Sequence, residues 1–104
     1  MVKIHGNWCG PNWTDGKNIS AQDYRASGGN FRGKCIDEID CACREHDKGC
    51  SGSVGCTRSA DAKLVAACER FLANPFNLVT NPVLYTKARI IREGIIVASV
   101  TRRR

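Results

Sequence analysis

Cys41-Ala42-Cys43-Arg44-Glu45-His46-Asp47 is the stretch on which the fold of this chain turns. Ile36, Ile39, Cys43 and His46 recur at three- and four-residue spacing, so residues 35–48 are predicted to form an amphipathic helix. Neighbouring residues on a helix point about 100° apart, so His46 and Asp47 do not simply pair with each other. That geometry suits separate tasks, with the imidazole facing a substrate as a general base and the carboxylate facing a cation. Cys43 lies one turn before His46, where it can fasten the helix to another segment. By itself a His-Asp dipeptide favours a solvated polar face; the surrounding residues shift the balance.

The chain has 104 residues and 11.4 kDa, which is expected to make one domain, residues 1–104, with no room for a second core. Three Phe, two Trp and two Tyr allow only a modest apolar interior. Seven cysteines in so short a chain point to disulfide stapling and to a secreted protein. The odd count leaves at least one free or paired between molecules. Met1-Val-Lys-Ile-His shows no apolar leader segment. The expectation is a leader already removed or, alternatively, a chain carried in a virion or larger precursor. The apolar run Ile95 to Val100 is too short to span a bilayer, so a soluble protein is expected. Net charge is +6, with excess cations late in the chain at Lys87, Arg89, Arg92 and Arg102-Arg103-Arg104. Such a surface attracts nucleic acid or anionic lipid. No aromatic interleaving or nucleic-acid motif accompanies it, so nucleic acid is not the expected partner.

Residues 5–18 are dense in turn formers and read as a loop, as do residues 26–34. A second helix is predicted over 59–73, starting near Ser59 or Asp61 and carrying the stripe Leu64, Val65, Cys68, Phe71 and Leu72. Asn74-Pro75 ends it. The basic segment 82–104 is read as a third amphipathic helix, with Tyr85, Ala88, Ile91, Ile95 and Ile96 inward and basic residues outward. Residues 94–100 are ambiguous between helix and strand. Ile4, Ile19, Ile36 and Ile39 are assigned to the core, His5 to the surface, and Asp37, Glu38 and Glu45 to a solvated face. Trp8 and Trp13 fit either a core or a lipid-facing mouth. The expected fold is mainly α and disulfide-stapled, two helices tied around a loop. Among Cys35, Cys50 and Cys56, a Cys50–Cys56 bridge across the glycine-rich turn is plausible, with Cys35 then free or paired elsewhere.

With the loop Trp8-Cys9-Gly10-Pro11-Asn12 beside this helix, the chain resembles the secreted phospholipase A2 superfamily, closest in layout to the phospholipase domains of parvoviral capsid proteins. The superfamily's calcium loop has an aromatic residue, any residue or Cys, then Gly, as in Trp8-Cys9-Gly10. The parvoviral form continues with Pro, as at Pro11, and has a nearby Asp and Gly, compare Asp15-Gly16-Lys17. Its catalytic helix spaces Asp, Cys and His-Asp as Asp40, Cys43 and His46-Asp47 are spaced. Ala60-Asp61 matches the Ala-Asp that opens the second helix. The resemblance covers roughly residues 5–72 and implies a phospholipase A2-like fold with two antiparallel helices and an N-terminal calcium loop. It implies calcium-dependent hydrolysis of the sn-2 ester of glycerophospholipids at an anionic phospholipid surface. His46 would be the general base and Asp61 its orienting partner. Calcium (Ca2+) would be held by Asp47 and the backbone carbonyls of Trp8, Gly10 and Asn12, with the Gly10 N–H as an oxyanion donor. It also implies Cys9–Cys43 and Cys41–Cys68 bridges.

Two features depart from the superfamily: Asn12 replaces a usual loop glycine, and Cys50 stands where a tyrosine normally bonds the dyad aspartate. They favour the alternative of a catalytically inactive, phospholipase-like lipid- or protein-binding module. A third reading is a zinc module built from Cys41, Cys43, His46 and Cys50, which leaves the Trp8–Asn12 loop unexplained.

Overall fold

The computed structural model describes residues 3–101, so Met1, Val2 and Arg102-Arg103-Arg104 of the basic segment lie outside the described residues. The chain is mainly helical: α1 (Ala21–Ala26), α2 (Glu38–Gly49), α3 (Arg58–Leu72), α4 (Pro75–Thr80) and α5 (Pro82–Thr101). No strand occurs among the described residues, only isolated bridges at His5–Cys9 and Thr14–Lys17 in the N-terminal loop. No helix is long and apolar enough to cross a membrane among those residues.

α2 starts three residues later than the periodicity places it because Asp37 caps it, its side chain accepting from the Asp40 N–H at 2.8 Å. Ile36 therefore precedes the helix and is 56 % exposed, correcting its assignment to the core. α3 begins at Arg58 behind a Thr57 cap, with Oγ1 accepting from the Ala60 N–H at 3.1 Å. Its inward face holds Leu64, Cys68 and Phe71. α1 and α4 are single short turns of helix that periodicity does not reveal. Asn74-Pro75 both ends α3 and opens α4, with Asn74 as its cap and Pro75 at its first position.

α5 runs unbroken through residues 94–100, so the strand alternative is excluded. Leu84, Ala88 and Ile91 bury against the core shared with α3. Arg89 is exposed on this helix, in line with the expected basic outer side. Arg92 turns back to Glu69, with Nε and Nη2 at 2.9 and 2.8 Å, and Lys87 reaches His5 at 3.3 Å. The outer face also exposes Val83, Ile90 and Val97.

Trp8, Tyr24 and Phe31 form an aromatic cluster beneath the N-terminal loop, with ring centroids 4.8–6.1 Å apart. Trp8 is core, completely buried, and its indole N–H donates to the Lys34 carbonyl at 2.9 Å. His5 is buried rather than on the surface. Its Nε2 lies 2.7 Å from Asp37 Oδ2, which withdraws Asp37 from the solvated face as well.

The loop is fixed to α2 by the buried carboxylate of Asp40. It accepts the backbone N–H groups of Asn7 at 3.1 Å, Trp8 at 2.9 Å and Ile36 at 3.0 Å. Gly6 makes this approach possible: its φ is +61° and a Cβ there would run into the Asp40 carboxylate. Removing the carboxylate strands three donors, and Asp40→Ala is expected to cost about 3 kcal/mol or more in urea unfolding.

Three disulfides complete the frame: Cys9–Cys43, Cys50–Cys56 and Cys35–Cys41. The expected Cys41–Cys68 bridge is absent, and Cys68, not Cys35, is the free cysteine. Helical geometry explains the difference. Cys41 lies about 140° around α2 from His46, the residue that faces α3, so its thiol points away from α3 toward the preceding segment. Cys68 sits in the core, where burial pushes its thiol up to about 11. Iodoacetamide is therefore expected to label no cysteine in the native protein and Cys68 in urea without reductant. A labelled Cys35 would restore the Cys41–Cys68 pairing.

Candidate active site

His46 and Asp61 come from different helices and meet because α2 and α3 approach closely where the first ends and the second begins. Gly49 permits this contact, since a Cβ at that position would collide with the Cβ of Ala60. One residue further along α3, Asp61 Oδ1 lies 2.7 Å from His46 Nε2, with both side chains buried. An ionised carboxylate only accepts, so Nε2 carries the proton and the imidazole lone pair lies on Nδ1. The ring is thereby held in one tautomer and orientation.

Asp47 takes the other direction predicted for adjacent helical residues and does not pair with His46. Its Oδ2 is buried and has no hydrogen-bond partner. Burial, and after it the negative charge of Asp40, push its carboxyl from the ordinary aspartate range up to about 9. A buried carboxylate oxygen without a donor is costly unless a proton or a cation completes it.

His46 and Asp47 open on the same cavity of 520 Å³, which Trp8, Gly10 and Asn12 of the loop also line. The Cys9–Cys43 bridge holds the loop here, because Cys43 is on the same side of α2 as His46, one turn earlier. Gly10 and Asn12 have φ values of +140° and +52°. Asparagine adopts the left-handed region more readily than most residues, which accounts for its fit where a glycine is otherwise expected. Five expected site residues thus share one cavity, and the sixth, Asp61, stands behind His46. Among the groups lining this cavity, Asp47 supplies the carboxyl; the Gly10 carbonyl accepts from the Trp13 N–H at 3.3 Å.

Two contributions go beyond the sequence expectations, the contact of the expected Cys50–Cys56 bridge with the imidazole and the cavity wall built by α5. The Cys50–Cys56 disulfide packs on the imidazole, with Cys50 Sγ 3.7 Å from both ring nitrogens. Being oxidised, Cys50 offers no S–H. His46, Cys50 and Cys56 cluster closely enough to suggest a metal site, but neither sulfur is a thiolate. The zinc reading falls for the same reason, since Cys41, Cys43 and Cys50 are all in disulfides. The second contributor is α5, whose Ile90, Ile91, Gly94, Ile95 and Ala98 form an apolar cavity wall. The signal was present in the inward periodicity of this segment, but nothing in it named the cavity.

The raised Asp47 pKa has a defined effect on stability. Between the unfolded value near 4 and the folded value of about 9, the folded protein keeps a proton that the unfolded chain has released. Stability then falls as pH rises across this window in the absence of a cation. Asp47→Asn, neutral throughout, is expected to raise Tm by about 10 °C or more at about pH 8 and to change it little at about pH 4. Thermal melts in chelator check the sign. Comparison with family models, curated proteins and solved structures finds no match for this chain.

Proposed function

We propose that this protein is a small, calcium-dependent phospholipase A2-like hydrolase, acting on the sn-2 ester of glycerophospholipids at a lipid surface. One observation carries the reading: His46, backed by Asp61, and Asp47, one of whose carboxylate oxygens is buried without a hydrogen-bond partner, line one cavity together with apolar residues of α5. The combination offers a base, a seat for a cation and room for an acyl chain in one place.

Nδ1 of His46 takes a proton from a water molecule as its oxygen attacks the ester carbonyl carbon. Asp61 keeps the imidazole in the required tautomer and stabilises the imidazolium that forms. His46 then returns the proton to the departing glycerol oxygen as its bond to the acyl carbon breaks, giving a fatty acid and a lysophospholipid. The backbone N–H of Gly10 serves as a donor to the developing oxyanion.

The donor set fits calcium, a hard ion that takes carboxylate and backbone carbonyl oxygens. Asp47 and the carbonyls of Trp8, Gly10 and Asn12 would hold it, and when bound it supplies polarisation of the ester carbonyl. Three disulfides fit an oxidising, extracellular setting. The inactive binding module remains the second reading, favoured by Cys50, which supplies neither a hydroxyl nor a thiol proton to the dyad.

Fatty-acid release from mixed phospholipid vesicles, in calcium and in chelator, tests the proposal. The expected result is calcium-dependent release that falls about 10²- to 10⁴-fold in His46→Gln. Release that ignores calcium overturns the cation assignment, and no release from correctly oxidised protein leaves the binding module. Calorimetry adds a readout free of turnover. Calcium is expected to displace the Asp47 proton near neutral pH, so the apparent heat varies with the buffer's ionisation enthalpy, and Asp47→Asn abolishes the signal.

A further inference from the structure

The Cys50–Cys56 bridge lies in the cavity wall beside the imidazole of His46. The ligand atoms of His46, Cys50 and Cys56 are all within 4.8 Å of one another. A tetrahedral zinc, about 2.3 Å from sulfur and about 2.0 Å from nitrogen, sets a thiolate and an imidazole nitrogen about 3.6 Å apart. Cys50 Sγ already stands 3.7 Å from His46 Nδ1. The other ring nitrogen, Nε2, is 2.7 Å from Asp61 Oδ1, the carboxylate–histidine arrangement that orients a zinc-bound imidazole. Two thiolates on one zinc stand about 3.8 Å apart, against about 2.0 Å in a disulfide. The turn that carries Cys56 has room for this movement. Cys56 is half-buried, Ser53 and Val54 are exposed, and a Cβ on Gly52 or Gly55 would meet no atom within 4 Å.

We infer that Cys50, Cys56 and His46 form a redox-gated zinc site, which takes the metal when the bridge is reduced and then occupies the base. A dithiol attacks Cys56 Sγ, the more exposed partner, the S–S bond breaks, and Cys50 leaves as a thiolate. The second sulfur of the dithiol displaces Cys56, so the dithiol ends as a disulfide and the protein as two cysteine thiols. Zinc takes both as thiolates, releasing their protons. His46 Nδ1 is its third ligand and water its fourth. Soft thiolates select zinc over calcium, so this seat is distinct from the one at Asp47. With zinc on Nδ1 the imidazole accepts no proton from water, and the hydrolase is silent where thiols prevail and active where disulfides form. That consequence rests on the hydrolase reading; zinc binding itself is measured without turnover.

The test reduces the protein in steps with a phosphine, which has no thiol to compete for metal, and adds cobalt(II), whose thiolate charge-transfer band reports sulfur ligation. Zinc then displaces cobalt, and alkylation with peptide mapping shows which cysteines it protects. The expected result is one metal per chain, no band from the oxidised protein, and zinc protection confined to Cys50 and Cys56. His46→Gln is expected to weaken binding at least about tenfold. A missing band, protection of other cysteines, or affinity unchanged in His46→Gln overturns the site. Where reduction melts the chain, Cys56→His decides, since it opens this bridge and leaves the other two closed. Without reductant it is expected to hold one zinc by native mass spectrometry, lost when Cys50→Ser is added; no zinc there overturns the site. Hydrolysis that persists with phosphine and bound zinc overturns the gating. Zinc binding as expected, with no hydrolysis of any phospholipid by the oxidised protein, upholds the metal site and rejects the hydrolase.

Discussion

Everything near the candidate site depends on the buried carboxylate of Asp40. It stands in the first turn of α2 and gathers backbone N–H groups from Asn7 and Trp8 in the loop and from Ile36 before the helix. A helix N-terminus favours a negative charge, and three backbone donors satisfy it without a cation. The consequence is positional. The loop is drawn onto α2, Cys9 comes within bonding distance of Cys43, and Trp8 is seated in its aromatic cluster. The peptide groups of Trp8, Gly10 and Asn12 are thereby placed beside His46 and Asp47.

The same carboxylate makes the site electrically unbalanced. Asp40 is compensated by hydrogen bonds, yet its charge still acts on Asp47, which burial has already made reluctant to ionise. Each negative group added to a low-dielectric pocket raises the attraction for a positive one. The Asp40 that organises the loop thus also makes the adjacent position hospitable to a cation. Asp61, by contrast, meets the imidazole Nε2 of His46 directly, at 2.7 Å. Two aspartates flanking one histidine therefore have opposite situations, one hydrogen-bonded to the imidazole and one with a buried oxygen that has no donor.

The helices α2 and α3 were legible because their apolar residues recur at helical spacing, while their caps, Asp37 and Thr57, were not picked out, which is why the starts shifted. α1 and α4 span six residues each, too few for periodicity to register. The β-branched run Ile95-Ile96-Val97 obscured α5, where packing against α3 overrides local preference. His46, Asp61, Asp47 and the loop could be singled out because motif order carries information about chemistry. The burial of His5 could not, since its partners Asp37 and Lys87 stand 32 and 82 residues away. Of the two bridges that likeness implied, Cys9–Cys43 is present and Cys41–Cys68 is not. Cys41 and Cys43 are only two residues apart but point to nearly opposite sides of α2, so only Cys43 faces the loop side of the site.

Stability and function are coupled through the cysteines. An uncompensated buried carboxylate, left-handed backbone at Asn12, Asp15 and Phe31, and a cavity beside the core all oppose folding. A chain with so few aromatic residues has little apolar burial to set against them. Closing the 34-residue span of Cys9–Cys43 removes on the order of 4 kcal/mol of unfolded-state entropy. Each six-residue span removes about 2 kcal/mol. The bridges are also placed where the opposing terms arise: Cys9–Cys43 at the loop, Cys35–Cys41 at the start of α2, and Cys50–Cys56 against the imidazole. Stapling therefore does more than support a small core. It allows the region around His46 and Asp47 to stay polar, strained and open.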